Sequence, residues 1–288
     1  MKTIIGLGQA GCNIADKFSQ YPQYKIYKID TELKKAPRCY PFPKYKKTEE
    51  YEKKCPNLKS FLKHVKGDIL FITSCGSIAA ASLCVLEQIK NKCNIEILYI
   101  RPDRSLLSQE KILNDNVVFH VFQEYARSDL FKRIYLIDNV EVGKIIGDIP
   151  IRQYYDKINE LVVSTVHMVN VFNNSESEIN TFSKVLEPAR ISTFSLLNYE
   201  TSEEKMFFNL DIPREKRYYY GVPEKTLQTD GTLLKKITKQ LKNLKEHDKM
   251  KVSYGVFSTN YDVPYIYGLS SSSLVQNNNF RLDKDLDL

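Results

Sequence analysis

The chain opens with KTIIGLGQAGCNIADKF, residues 2–18, an apolar run that breaks at a glycine-rich turn and resumes as a helical pattern. The turn holds Gly6-x-Gly8-x-x-Gly11. Glycines at this spacing let the backbone approach an anion, while the free amides and dipole of the following helix face its charge. The unit is therefore expected to be a phosphate site carried on a strand-to-helix turn. The GxGxxG spacing is also the dinucleotide fingerprint, and Asp30, at the end of YKIYKID (24–30), stands where a ribose-binding acid would belong.

Strand-like and helical stretches alternate through the first half. KTIIGL, YKIYKID, DILFITS (68–74), IEILYI (95–100), VVFHVF (117–122) and RIYLIDN (133–139) read as six strands. GCNIADKFSQY (11–21), NLKSFLKHV (57–65) and IAAASLCVLEQIKN (78–91) read as helices, and residues 34–57, rich in Lys, Tyr and Pro, as an irregular surface excursion. Such alternation predicts a parallel sheet with helices on both faces, where ligands bind at the ends of strands. A long helix is predicted from about Arg152 to Phe172. Tyr155, Ile158, Leu161, Val162, Thr165, Met168, Val169 and Phe172 share its apolar face, and NNSESEIN ends it. Past Phe182 the texture changes. RISTFSLLNY, KMFFNLDI, KVSYGVFSTN and VPYIYGLSS read as strands around a Lys-rich helix over 231–247, which makes a smaller α+β unit. The tail from Gln276 carries Asp283, Asp285 and Asp287 and is expected to be mobile.

Gly8-Gln9-Ala10-Gly11-Cys12-Asn13 resembles the first nucleotide loop of the tubulin and FtsZ proteins. YKIYKIDTEL resembles the FtsZ second strand with its terminal triplet, here Asp30-Thr31-Glu32. GDILFITSCGSIAAASLCVLEQIK resembles the segment that carries the main phosphate loop. ILYIRPD resembles the strand that ends in Arg-Pro, here Arg101-Pro102, and RIYLIDN the strand before the ribose loop. All occur in family order over roughly residues 1–185. On the long helix, Tyr155-x-x-x-Asn159 resembles the pair in which an aromatic ring stacks on guanine and a polar side chain bonds the base edge. Residues four apart share one helix face, so ring and amide can address one base.

The resemblance implies an α/β fold of tubulin/FtsZ type. It would have a Rossmann-like parallel-sheet nucleotide domain (1–150), a long central helix with its following loop (151–179), an α+β C-terminal domain (180–275) and a tail (276–288). It implies GTP or GDP as cofactor, with Mg2+, held by Gly8, Gln9, Ala10, Gly11, Cys12, Asn13, Ser74, Gly76, Ser77, Asn139, Tyr155 and Asn159. It also implies self-association head to tail into protofilaments, a heterologous contact that propagates when rotation does not close.

Two departures qualify this. The main phosphate loop of the family is GGGTGTG-like; here it is Cys75-Gly76-Ser77-Ile78-Ala79-Ala80-Ala81, with one glycine, and each added Cβ restricts positive φ. Ser74, Ser77 and the helix start remain as donors, or serve only as a helix cap. The loop that completes hydrolysis in a neighbouring subunit reads Asn-x-Asp-Phe-Ala-Asp in FtsZ. Here Asn180-Thr181-Phe182-Ser183-Lys184 lacks both acids, leaving Glu176 and Glu178 just upstream. GTP turnover is therefore expected to be weak or absent.

Composition bounds the rest. The chain has 288 residues, long enough for a sizeable core and two domains. Its 42 Lys and Arg against 35 Asp and Glu give +7, spread evenly, so no specific nucleic-acid binding is expected. Six cysteines form no CxxC pair, and with four histidines suggest neither a metal site nor a disulfide framework, which points to a reducing cytoplasm. The start lacks the pattern of a signal peptide, and no run approaches a membrane span. Two alternatives stay open: an NAD(P)-binding Rossmann protein, and a nucleotide-free structural paralogue of the tubulin fold.

Overall fold

Successive residues of the first strand point to opposite sides, and both sides are buried. Ile4 belongs to one apolar cluster and Ile5 to another, and both are 0% exposed. The same division repeats at Leu70 and Phe71, at Leu98 and Ile97, and at Ile137 and Leu136. Continuous Ile, Leu and Phe runs of this kind belong in a sheet covered on both faces.

The computed structural model describes residues 2–244 and 249–277. The first half runs β1 (Lys2–Leu7), α1 (Gly8–Lys17), β2 (Tyr24–Asp30), β3 (Cys39–Pro41), α2 (Thr48–Lys53), β4 (Gly67–Thr73), α3 (Ser82–Glu87), β5 (Cys93–Arg101), α4 (Gln109–Arg127), β6 (Arg133–Asp138) and α5 (Asn139–Ile146). The long α6 (Tyr154–Phe172) follows. Then come β7 (Ile179–Asn180), β8 (Ile191–Leu197), β9 (Glu204–Met206), β10 (Glu215–Pro223), α7 (Glu224–Thr229), α8 (Leu233–Asn243), β11 (Lys251–Thr259) and β12 (Tyr265–Ser272). The strand order is β3-β2-β1-β4-β5-β6-β8-β12-β10-β11-β7, with β9 beside β8. Strands β1 to β6 are mutually parallel, while β12 runs antiparallel to β8 and β10. β6 pairs β8 in parallel through Ile134–Ile191 and Tyr135–Ser192, so one sheet runs through both halves of the chain. The α/β architecture agrees with expectation.

Several local expectations are corrected. VVFHVF is part of α4, not a strand. Phe119, Phe122 and Ala126 are buried three or four residues apart, and a short apolar run of β-branched residues cannot by itself distinguish the two periods. NLKSFLKHV forms turns instead of a helix. Leu58, Leu62 and Val65 are buried, but only Leu62 N–H to Leu58 C=O is a helical bond, and Leu58 N–H is taken by the Gln88 side chain. The single helix expected over 78–91 is broken into a 3₁₀ turn (Ser77–Ala81), α3 and a second 3₁₀ turn (Lys90–Lys92). The Lys/Tyr/Pro excursion contains β3 and α2, and its Phe42 and Tyr51 are buried and stacked, with ring centroids 6.0 Å apart. A disulfide joins Cys55 to Cys84, a cross-link the cysteine spacing did not suggest. In KMFFNLDI only the first residues are strand, and β10, the centre of the second half, was not anticipated. Gln276 is buried: its N–H donates to the Gln123 side chain at 2.7 Å. The tail aspartates and residues 245–247 of the Lys-rich helix lie outside the described residues. Among the described residues no helix is long and apolar enough to cross a membrane.

α6 packs through Ile158, Val162, Val163, Thr165, Val166, Val169 and Phe172. His167 on the same helix is also buried. It stacks on Tyr21 at 3.6 Å and lies 3.1 Å from the Tyr24 hydroxyl and 3.3 Å from the Gln23 amide. Burial lowers its pKa below the ordinary 6.5, so the unfolded chain accepts a proton that the native state resists. This stability is present above about pH 6.5 and is lost as pH falls below it. His167→Gln is therefore expected to reduce the fall in urea midpoint between about pH 7.5 and about pH 5.5, followed by circular dichroism. Equal falls in both proteins would assign the loss to other groups.

Candidate functional site

β1 lies between β2 and β4, so the chain leaves β1 toward one side and returns for β4 on the other. At such a reversal the connections diverge and open a crevice at the carboxyl ends of the strands. The two segments that face it are Gly8–Gly11, after β1, and Ser74–Ser77, after β4. What the crevice can hold depends on the groups each segment offers.

In the first segment the glycines have different duties. Gly8 has φ +75°, the left-handed region that favours glycine, and starts α1 without a side-chain cap. Its helix start therefore leaves first-turn amides for a ligand. Gln9 and Asn13 are exposed and Ala10 is half-buried. Gly6 and Gly11 instead serve packing. A Cβ on Gly11 would stand 2.3 Å from the Ile72 carbonyl oxygen, and one on Gly6 2.5 Å from the Gly11 carbonyl oxygen. The Cys12 thiol turns inward toward the carbonyls of Gly6 and Ile29, and burial pushes its pKa up to about 12. It presents no group to the crevice.

The second segment is more closed. The Ser74 hydroxyl donates to the Ile100 carbonyl at 2.6 Å, which ties the loop to β5. Gly76 and Ser77 are exposed. Ile78 is buried, and its Cγ2 would lie 2.9 Å from a Cβ on Gly8. An isoleucine thus covers the first loop from the side on which the second loop stands.

Two further connections complete the edge. Asp138 caps α5, its carboxylate accepting the Val140 N–H at 2.8 Å; burial raises its pKa, and Arg101 opposes this. Asn139 begins α5 and is buried, and its Oδ1 has no hydrogen-bond partner among the described residues. A buried amide oxygen without a donor is a place where a hydroxyl would be held. After β5, the buried Asp115 of α4 gathers the Tyr99 hydroxyl (2.6 Å), Arg104 (3.2 Å) and Arg101 (3.7 Å). Arg101 also lies over the Phe119 ring at 5.2 Å. This knot fixes the loop after β5. In the sequence only Arg101-Pro102 hinted at it, because Asp115 reads as an ordinary polar position on an amphipathic helix. Asp30 closes β2, and burial raises its pKa.

At the start of α6, Tyr155 is 55% exposed with its ring edge-on to Tyr154, and Asn159 is half-buried one turn on. At the other end, Asn180 and Thr181 are stitched to β11. Thr181 N–H donates to the Tyr254 carbonyl at 2.8 Å, and its hydroxyl accepts the Tyr254 N–H at 3.0 Å. Lys184 pairs with Glu187, and Glu176 and Glu178 are exposed. α6 has 19 residues and so separates these ends by about 27 Å. Within one chain the two groups do not meet. A cavity of about 670 Å³ lies away from this edge, between the amino ends of the strands and α6, around Lys2, Glu96 and Asn170. Lys2 and Lys132 line it together with Asp68 and Glu96, and none of its lining residues begins an α-helix.

No protein-family model and no curated protein matches the sequence. Solved structures do match in fold. The empty FtsZ dimer of M. jannaschii superposes with a TM-score of 0.69 at 12% identity, covering 94% of this chain and 88% of that one. A GTPγS-form TubZ protofilament of Bacillus thuringiensis serovar israelensis gives 0.71 at 16%, covering 94% and 87%. CetZ2 of Haloferax volcanii, a GTPγS-bound protofilament, gives 0.68 at 13%, covering 94% and 93%. The chain has the tubulin/FtsZ-like fold.

The division of labour among the glycines is testable. Gly11→Ala forces α1 away from β4 and is expected to cost about 1–3 kcal/mol, a fall of several degrees in melting temperature. Gly76→Ala, where an added Cβ meets nothing within 4 Å, is expected to stay within about 0.5 kcal/mol of the parent. Differential scanning fluorimetry of both variants checks the contrast.

Proposed function

We propose that this tubulin/FtsZ-like chain binds a guanine nucleotide at the carboxyl edge of its parallel sheet and assembles head to tail into filaments, with slow or no GTP hydrolysis. The observation that carries the reading is the uncapped start of α1 at Gly8, with a buried Asn139 oxygen that lacks a donor three strands away at the same edge of the sheet. A nucleotide fits both: phosphate at the first-turn amides of Gly8, Gln9 and Ala10, and a ribose hydroxyl at Asn139 Oδ1. Tyr155 and Asn159 would hold the base, ring against ring and amide against edge. Bound nucleotide, with its Mg2+, would supply charge to an interface between subunits. The distance between the two ends of α6 favours assembly, because only a second copy can bring a Thr181–Lys184 loop to a Tyr155 end.

The hydrolytic side follows from charge. The loop offers Thr181 and Lys184, neither of which can serve as general base at neutral pH, and the Thr181 hydroxyl already accepts the Tyr254 N–H. Ile78 over Gly8 favours the second reading, a nucleotide-free structural relative, because it occupies the side from which a glycine loop would wrap phosphate.

Calorimetric titration of the wild type with GTP and GDP decides between these readings, and Asn159→Ala tests base recognition. The variant is expected to weaken GTP and GDP binding by about 5- to 30-fold, the worth of one or two hydrogen bonds, while the melting temperature of the free protein stays within about 2 °C. Calorimetric titration checks this, and unchanged affinity would remove base recognition from the proposal. Phosphate release by concentrated wild-type protein is expected to fall about 10²–10⁴-fold short of a site with a positioned acid, even where microscopy finds filaments. Turnover that rises with protein concentration would show that Glu176, Glu178 or another group supplies the base.

A further inference from the structure

Cys55 follows α2 and Cys84 sits in α3, and the disulfide between them bridges Cα atoms 6.5 Å apart. Cys12, Cys39, Cys75 and Cys93 remain thiols. A fold that rests on disulfides pairs its cysteines, whereas this one leaves four of six free. The segment around Cys55 is in any case anchored by buried Phe42, Tyr51, Leu58 and Leu62. The bridge is an addition to a core that packs without it. Cys55 and Cys84 are both half-buried, at the margin of that core, where a small thiol can approach.

Gln88 holds the same two segments together by other means. Its side-chain N–H donates to the Pro56 carbonyl at 3.1 Å and to the Cys84 carbonyl at 3.3 Å, and its Oε1 accepts the Leu58 N–H at 2.6 Å. Segments clamped in this way keep two thiols adjacent after reduction, so the bond can form again. The bridge also bears on the crevice. α2 packs on the 3₁₀ turn Ser77–Ala81, α3 continues that turn, and the turn carries Ile78 toward Gly8. Locking the chain just after α2 to α3 therefore fixes the turn between them.

We propose that Cys55 and Cys84 are a redox-modification site, a thiol–disulfide pair that exchanges with small thiols of the glutathione class and, when oxidised, clamps the 43–57 segment and the turn after β4. In reduction, the thiolate of a small thiol attacks one bridge sulfur. The S–S bond breaks, a mixed disulfide forms, and the other cysteine leaves as a thiolate that water protonates. A second small thiol attacks the mixed disulfide, frees the remaining cysteine and departs as the small-molecule disulfide. Two electrons and two protons have then passed to the pair. The reverse sequence, with the small-molecule disulfide as oxidant, restores the bridge. The site lies outside the crevice, and the inference stands whether or not a nucleotide binds there.

The full chain, equilibrated with reduced or with oxidised glutathione and then alkylated without denaturant, tests this by peptide mass mapping. Label is expected on both Cys55 and Cys84 after the reduced thiol, and on neither after the oxidised one, through repeated cycles. The reduced protein is expected to keep its circular dichroism and to melt about 5–10 °C lower, the usual effect of losing one cross-link in a chain of this size. Backbone amides of residues 43–57 and 76–82 are expected to exchange hydrogen about 10-fold faster in the reduced form, while those of β1 and β5 keep their rates. The double variant Cys55→Ser, Cys84→Ser is expected to behave as the reduced protein does and to lose all response to either form of glutathione. A bridge that reduced glutathione opens only in denaturant, or thiols that oxidised glutathione leaves unpaired, would overturn the inference. Equal exchange rates in the two forms, or a redox-dependent melting temperature that survives in the double variant, would overturn it as well.

Discussion

The close contact of α1 with the sheet sets the geometry on which the rest depends. Gly11 lets the helix backbone come against the Ile72 carbonyl of β4, and Gly6 lets the same turn close over β1. With any side chain at Gly11 the helix would stand farther out and its first amides would no longer meet the crevice between β1 and β4. The turn at Gly8 can take positive φ, but the closeness of approach decides where those amides point. Packing and ligand chemistry are thus assigned to different glycines of one short motif.

α6 is the second organising element. It lies against the same face as α1, packs on both the parallel and the antiparallel parts of the sheet, and holds the two ends of the molecule about 27 Å apart. The likeness to FtsZ, TubZ and CetZ2 extends across this helix into the second half, with 94% of the chain covered. The segment after β4 is a 3₁₀ turn whose Ile78 stands over Gly8, and the segment after α6 forms β7 at the edge of the sheet.

Much of this was legible in the residues, for a physical reason. β1, β4, β5 and β6 are buried on both faces and carry apolar runs, β2 sets Lys25 and Lys28 among buried Tyr24, Tyr27 and Ile29, and α6 reads as one wide stripe. What could not be read depends on contacts between distant segments. VVFHVF fits either period and became helix because α4 must cover the face that holds Tyr99 and Leu136. NLKSFLKHV has helical spacing, yet the Leu58 amide near its start is captured by Gln88, thirty positions on. Gln276 looked like the start of a tail, and is held by Gln123 and Asp211. At the site, Gly11 and Cys12 matched a nucleotide loop by identity, while the direction of each group emerged only from the folded chain.

The join between the two halves of the sheet is narrow. β6 and β8 share two register pairs, reinforced by Arg133, whose guanidinium donates to Ser192 at 3.0 Å and to Ser271 at 2.9 Å. Two broad plates are thus joined by a short riveted strip, with α6 as a strut along one side. Such a joint resists sliding, because hydrogen bonds across it would have to exchange partners, but it yields to twisting about the strip. In the head-to-tail assembly proposed above, strain along a row would collect there first, and small rotations at each joint would add up to a bend or pitch over the length of the row.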